Sequence, residues 1–125
     1  MKRFKLMLFL LCAPTFFLGS AVAGDFSWLK NLNVSAKADL PGYRHKLAYR
    51  FNVDAAEIKM VMHAVKKPSD AYMIFRLKEM THRAVDDIVY IYRHHKKHSW
   101  RNIAKKLGIK HGSHEYYELT ERHDL

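Results

Sequence analysis

Apolar residues recur every three or four positions from Asp39 almost to the end of the chain, which is the spacing of one face of an α-helix. The first such stripe is Leu40, Tyr43, Leu47 and Phe51. No segment alternates between apolar and polar residues with the period of two that marks a half-buried strand. The chain is therefore predicted to be all-α, a compact bundle of five or six short helices arranged as helical hairpins.

Residues that favour helix ends divide this pattern into separate helices. Asp54 and Glu57 have the spacing of a capping box, in which polar side chains bind the free backbone N–H groups at a helix start. Pro68 ends the following helix because proline disfavours helical geometry in the residue before it. Ser69 is then predicted to cap the next helix, which reaches about Met80 before a break near His82. Another stripe follows this break: Val85, Ile88, Val89 and Tyr92.

The last helical unit carries the most complete set of helix signals. Ser99 is its predicted cap, and Gly108 permits the left-handed conformation that commonly closes a helix. The apolar stripe between these two residues is Trp100, Ile103, Ala104 and Leu107. Ser113 is predicted to open a short terminal helix.

The first 23 residues have the three-part layout of a secretory signal peptide. A basic start precedes an apolar stretch from Leu6 to Leu18, and small residues place the cleavage site after Ala23. The apolar stretch contains Pro14 and is shorter than the roughly twenty residues that span a membrane. We expect a periplasmic or secreted protein, because removal of this leader from the 125-residue chain leaves 102 residues for export.

The exported chain is expected to divide into an arm and one domain. Residues 24–38 show no strong helical start and are predicted to form a flexible N-terminal arm, whereas residues 39–125 form the single helical domain. The three cations of the leader account for part of the net charge of +10, so the remainder carries +7 with its histidines neutral. The single cysteine, Cys12, is lost as well, so stability must come from packing rather than from disulfides.

The run from Ser99 to Lys110, followed by Gly112-Ser113 and Glu115, resembles a C-terminal motif of small exported bacterial proteins with no known activity. In that family a tryptophan leads into Ile-Ala-Lys-x-Leu-Gly-Ile-Lys-Pro-Gly-Ser-x-Glu-Phe. The resemblance covers roughly residues 47–119. This chain departs from the pattern at Arg101, where glycine is usual, and at His111, where proline is usual. The resemblance implies export and an all-helical fold, and it transfers no activity.

A surface with this charge favours anionic partners. The leading hypothesis is therefore an exported, non-enzymatic accessory or interaction protein that binds an anionic envelope component or an acidic protein. The chain has no Gly-x-Ser-x-Gly elbow, no phosphate loop and no thiol after cleavage, so neither an enzyme nor a cofactor is predicted. The predicted binding residues are the cations of the last third of the chain: Lys96, Lys97, Arg101, Lys105, Lys106 and Lys110.

Histidine spacing supports an alternative hypothesis of weak transition-metal binding or sensing. His94 and His98 are four residues apart and share a face if the helix continues, and His111 and His114 are three apart. Neutral imidazoles at such spacings can bind zinc, copper or nickel. Lysines between the first two histidines would repel a cation.

A third hypothesis is a nucleic-acid binder, because the Ile103-Ala104 pair, the Leu107-Gly108 turn and the helix after Ser113 resemble a helix-turn-helix. Two features weigh against it. The signal peptide directs the protein away from the genome, and the second helix carries several glutamates that would face phosphate poorly.

Overall fold

The computed structural model describes residues 26–94 and 99–125. The predicted signal peptide and its cleavage after Ala23 lie outside them. Within these residues the chain forms seven α-helices and no strand. The helices are α1 (Trp28–Ala38), α2 (Leu40–Phe51), α3 (Ala55–Ala64), α4 (Pro68–Thr81), α5 (Val85–His94), α6 (Trp100–Lys106) and α7 (His114–Glu121). The all-α prediction is confirmed, and the helix beyond the expected five or six is α1.

Helix α4 is the centre of the bundle. It packs against α1, α2, α3 and α5. Because several helices cover it, its buried residues occupy more than one face: Ser69, Ala71, Tyr72, Met73, Ile74, Phe75 and Leu77. The helix ends at Thr81, and His82 takes a left-handed conformation with a φ of 59°, which confirms the predicted break.

Helix α1 occupies most of the segment that the sequence predicts to be a flexible arm. Leu32 and Ala36, four residues apart, are buried, and the helix as a whole packs mainly against α4. The indole N–H of Trp28 donates to the Thr120 carbonyl at 2.9 Å, and the backbone N–H of Phe26 donates to the same oxygen at 3.2 Å. The structure therefore corrects this expectation for residues 28–38, which form a docked helix held at its start by the end of α7.

The start of α4 also differs from the prediction. Its N-cap is Lys67 rather than Ser69, and Pro68 takes the first helical position, where its missing N–H costs nothing. Ser69 is buried in the first turn, and its N–H donates to the side-chain oxygen of Asn33 on α1 at 3.2 Å. Ser69 therefore does not cap this helix, and its own N–H in the first turn is satisfied by a residue 36 positions away.

Replacing Asn33 with alanine is expected to lower the free energy of unfolding by about 1 kcal/mol, because the buried N–H of Ser69 loses its acceptor. Asn33→Asp keeps an oxygen at the same place and serves as the control. Urea denaturation of the three proteins gives the comparison. Identical midpoints for all three would show that this bond contributes nothing to stability.

The predicted capping residue of α3 is confirmed, but its capping box is only half formed. The Asp54 carboxylate accepts from the backbone N–H of Glu57 at 2.9 Å. The Glu57 carboxylate instead accepts from Lys78 Nζ on α4 at 2.7 Å. The acidic residue thus links two helices rather than closing its own first turn.

The helix signals of the C-terminal unit are confirmed. Ser99 Oγ accepts from the N–H of Asn102, and Ser113 Oγ accepts from the N–H of Tyr116. Gly108 has a φ of 93°, a left-handed conformation that L side chains rarely adopt. The predicted stripe is buried: Trp100, Ile103, Ala104 and Leu107.

The chain end folds back over the bundle after α7. The Asp124 carboxylate accepts from the Tyr72 hydroxyl at 2.9 Å and from Arg50 Nε at 2.8 Å. The His123 ring packs against both Trp28 and Tyr72, with centroid distances of 5.4 and 6.0 Å. Burial alone would raise the pKa of Asp124, but the hydrogen bonds from Arg50 and Tyr72 outweigh it and lower that pKa. The tail therefore joins α1, α2 and α4.

Candidate binding groove

A groove of about 960 Å³ lies between α2 and α3. From here on it is called the α2–α3 groove. The residues of α2 that line it are Leu40, Pro41, Arg44, His45, Ala48 and Tyr49. The residues of α3 that line it are Ala55, Ile58, Lys59, Met62 and His63. Val65, Lys66 and Pro68 complete the lining beyond the end of α3.

Helical spacing explains why these residues share one groove. The lining residues of each helix recur at intervals of three and four, so each helix presents one continuous face. A short turn joins the helices, with Asn52 in a left-handed conformation (φ 54°) and Asp54 capping α3. The small side chains of Ala48 and Ala55 lie on either side of this turn, where they occupy little of the space between the helices.

The floor of the groove is apolar, and one aromatic residue stands at its edge. Ile58 is buried, and Leu40, Ala48 and Met62 are half-buried. Tyr49 is 91% exposed, the highest exposure of any large hydrophobic residue in the described part of the chain. The ring of Tyr49 therefore has most of its surface free to contact a binding partner.

The lining is basic and contains no carboxylate. Five exposed basic side chains contribute to it: Arg44, His45, Lys59, His63 and Lys66. Among residues 26–94 and 99–125, none of these five side chains forms an ion pair. By contrast, the nearby cations Arg50 and Lys78 are paired with Glu79 and Glu57. The charged side chains of Arg44, Lys59 and Lys66 are therefore available to an external anion, and their summed field attracts one.

The basic residues predicted from the sequence lie elsewhere. Arg101, Lys105 and Lys106 are exposed on α6, and Lys110 is exposed in the turn that follows. None of them lines the α2–α3 groove. Two further predicted residues, Lys96 and Lys97, lie outside the described residues.

Two of the four predicted metal ligands are already engaged with protein groups. His94 Nδ1 donates to the Tyr90 carbonyl at 2.9 Å, and its ring stacks on that of Tyr90 with centroids 4.1 Å apart. His111 Nε2 accepts from the guanidinium of Arg101 at 2.8 Å. Each of these histidines therefore has one ring nitrogen committed to the protein.

The other two predicted ligands do not complete a site. His114 lies 3.4 Å from a carboxylate oxygen of Glu118, one turn further along α7. His98 lies outside the described residues. Within the part of the chain that the structure describes, no three His, Cys, Asp or Glu residues converge as metal ligands.

The resemblance to a helix-turn-helix is local. Helices α6 and α7 follow one another with the glycine turn between them, but exposed α7 residues include Glu115, Glu118 and Glu121. These carboxylates would meet the phosphate backbone of a nucleic acid if α7 entered a groove of the duplex.

The α2–α3 groove was not predicted from the sequence, although a signal for it exists. Residues 40–53 contain four basic residues and no acidic one, and Arg44 and His45 fall on the face that carries Leu40 and Ala48. The predicted binding residues lie instead in the dense runs of lysine in the last third of the chain. Which cations meet across a hairpin depends on how two helices face each other, and that is a tertiary property.

No protein-family model, curated protein or solved structure matches this chain. In residues 26–94 and 99–125, no helix has both the length and the apolar character needed to cross a membrane. The function must therefore be argued from the geometry and charge of the groove.

Proposed function

We propose that the protein is an exported, non-enzymatic interaction module that binds an anionic partner through the α2–α3 groove. The partner is an envelope component or an acidic protein. The observation that supports this proposal is the lining of the groove, in which both walls carry exposed cations and neither carries a carboxylate. Export rests on the signal-peptide pattern of residues 1–23.

The two properties of the groove have separate roles in binding. The exposed cations raise the local concentration of an anionic partner and increase its association rate, an effect that salt weakens. The half-buried apolar floor supplies affinity when the partner displaces water from it. Small anions bound to the cations would leave the apolar floor of the groove exposed to water. The geometry therefore favours a partner with both negative charge and an apolar surface.

The proposal predicts that removing charge from the groove weakens binding more than removing equal charge elsewhere. The test variant is Arg44→Gln with Lys59→Gln, and the matched control is Lys105→Gln with Lys106→Gln on α6. All four side chains are exposed, so folding is expected to tolerate both changes. We expect about a tenfold loss of affinity in the groove variant, equivalent to ~1.4 kcal/mol, and less than about twofold in the control.

The measurement is binding to polyglutamate and to vesicles rich in phosphatidylglycerol, at low and at moderate salt. A groove variant that binds as tightly as the α6 variant would place the binding surface outside the groove. Failure of the unmodified protein to bind either probe at low salt would overturn the proposed function as a whole.

A further inference from the structure

We infer that the occupant of the α2–α3 groove is an amphipathic α-helix of a partner protein, with an apolar stripe flanked on both sides by acidic residues. This inference rests on the proposed function, which it narrows from anionic partners in general to one structural class.

The shape of the groove fits a helix. Its two walls are faces of helices, and the 12 residues of α2 give it a length of roughly 18 Å. Side chains on two neighbouring helices form ridges and grooves that a third helix can fill. Binding of a helix in an apolar groove is also a common mode of peptide recognition. An added helix would turn the α2–α3 hairpin into a three-helix layer.

The residue types in the groove fit a protein partner. Leu40, Ala48 and Met62 form a half-buried apolar floor that can receive a stripe of apolar side chains. Tyr49 and Arg44 are exposed at its margins. Tyrosine, arginine and methionine are enriched in protein–protein interfaces, and the first two are frequent hot-spot residues.

The distribution of charge favours a helix over a lipid. Arg44 and His45 lie on the α2 wall, and Lys59 and His63 lie one turn apart on the α3 wall. A single-chain amphiphile carries its charge at one end, so its headgroup would contact only some of these four side chains. A helix with glutamates on both flanks of its apolar stripe places charge opposite both walls along the groove.

The test uses the full chain and three synthetic peptides of identical composition. The first places leucines at i, i+3, i+4 and i+7 with glutamates on both flanks. A single proline stands at its end. The second has the same residues in scrambled order, and the third is the first with its proline moved from the end to the centre. Calorimetry is expected to show that the first peptide binds about tenfold more tightly than the other two, since only it forms an amphipathic helix.

A matched pair of tyrosine variants locates the peptide. Tyr49→Ala is expected to weaken binding of the amphipathic peptide by about tenfold, the effect of losing a hot spot. Tyr117→Ala on α7, where the tyrosine is 58% exposed, serves as the control and is expected to bind like the unmodified chain. Circular dichroism verifies that both variants remain folded.

The outcomes separate this inference from the proposed function. Equal affinity for all three peptides would overturn the inference, while salt-dependent binding of polyglutamate would leave the proposed function standing. Displacement of the amphipathic peptide by dodecyl phosphate at much lower concentration would identify a lipid as the occupant and also overturn the inference. No binding of any anionic probe would overturn both.

Discussion

Replacing Trp28 with alanine is expected to lower the free energy of unfolding by about 3 kcal/mol and to release α1 from the bundle. The indole packs edge-on against Tyr72 with a centroid distance of 5.7 Å and contacts the His123 ring. Its N–H also donates to the Thr120 carbonyl. One substitution therefore removes packing on α4, packing on the C-terminal tail and the bond to the end of α7.

Urea denaturation gives the change in stability, and hydrogen exchange of the amides of residues 28–38 reports whether α1 opens separately. Trp28→Phe is the control, because it keeps a ring but loses the N–H, and we expect it to cost ~1 kcal/mol. If Trp28→Ala has no effect, and the amides of α1 exchange as fast in the unmodified protein as in a free peptide, then residues 28–38 are the loose arm first predicted.

Raising the pH above 10 is expected to destabilise the protein steeply, because three buried tyrosines resist ionisation. Burial is the main cause in each case, and it raises the pKa of Tyr72 to about 12 and the pKa values of Tyr43 and Tyr92 well above the ordinary value. The Tyr92 hydroxyl donates to Asp70 at 2.6 Å, and its bond to that carboxylate raises its pKa further. Ionisation would remove this proton and place two anions side by side.

The direction of the effect follows from proton linkage. In the unfolded chain a tyrosine ionises near pH 10, whereas in the folded protein these three remain neutral at that pH. The stability that they contribute is fully present below pH 10 and is lost as the pH rises through 10 towards and beyond 12. Urea midpoints between pH 8 and pH 12 should therefore fall with increasing slope.

Tyr43→Phe isolates one of these groups. The hydroxyl of Tyr43 donates to the Pro68 carbonyl at 2.7 Å, so the variant is expected to lose ~1 kcal/mol at pH 8. Its stability should then decline less steeply than that of the unmodified protein above pH 10. All other ionisable groups are the same in both proteins, so their effects cancel from the difference. Parallel curves for the two proteins would contradict the assignment.

Six of the seven described helices could be predicted from the sequence because their signals are local. Asp54, Ser99 and Ser113 cap helices as expected, and Gly108 closes α6, since each needs only neighbours within a few residues. Helix α1 could not be predicted in this way. Its start has no side-chain cap, and it is held by Thr120, 92 residues away from Trp28.

The candidate binding groove was less predictable than the fold for a similar reason. Local spacing does not reveal bonds between residues on different helices, such as the bond from the Ser69 N–H to Asn33. The cations of the groove likewise lie on two helices, and only the packing of the hairpin brings Arg44 and Lys59 to one lining. Charge density along the chain favoured α6 instead, because it does not record which cations the packing of two helices brings together.

The most direct test of the central claim is a map of amide chemical shifts as the ¹⁵N-labelled protein is titrated with the acidic amphipathic peptide. If the peptide binds in the α2–α3 groove, the largest changes in chemical shift are expected for the amides of residues 40–49 and 55–66. Changes concentrated on residues 99–110, with no change in the groove amides, would contradict binding in the groove. They would show that the peptide binds at the lysines around α6.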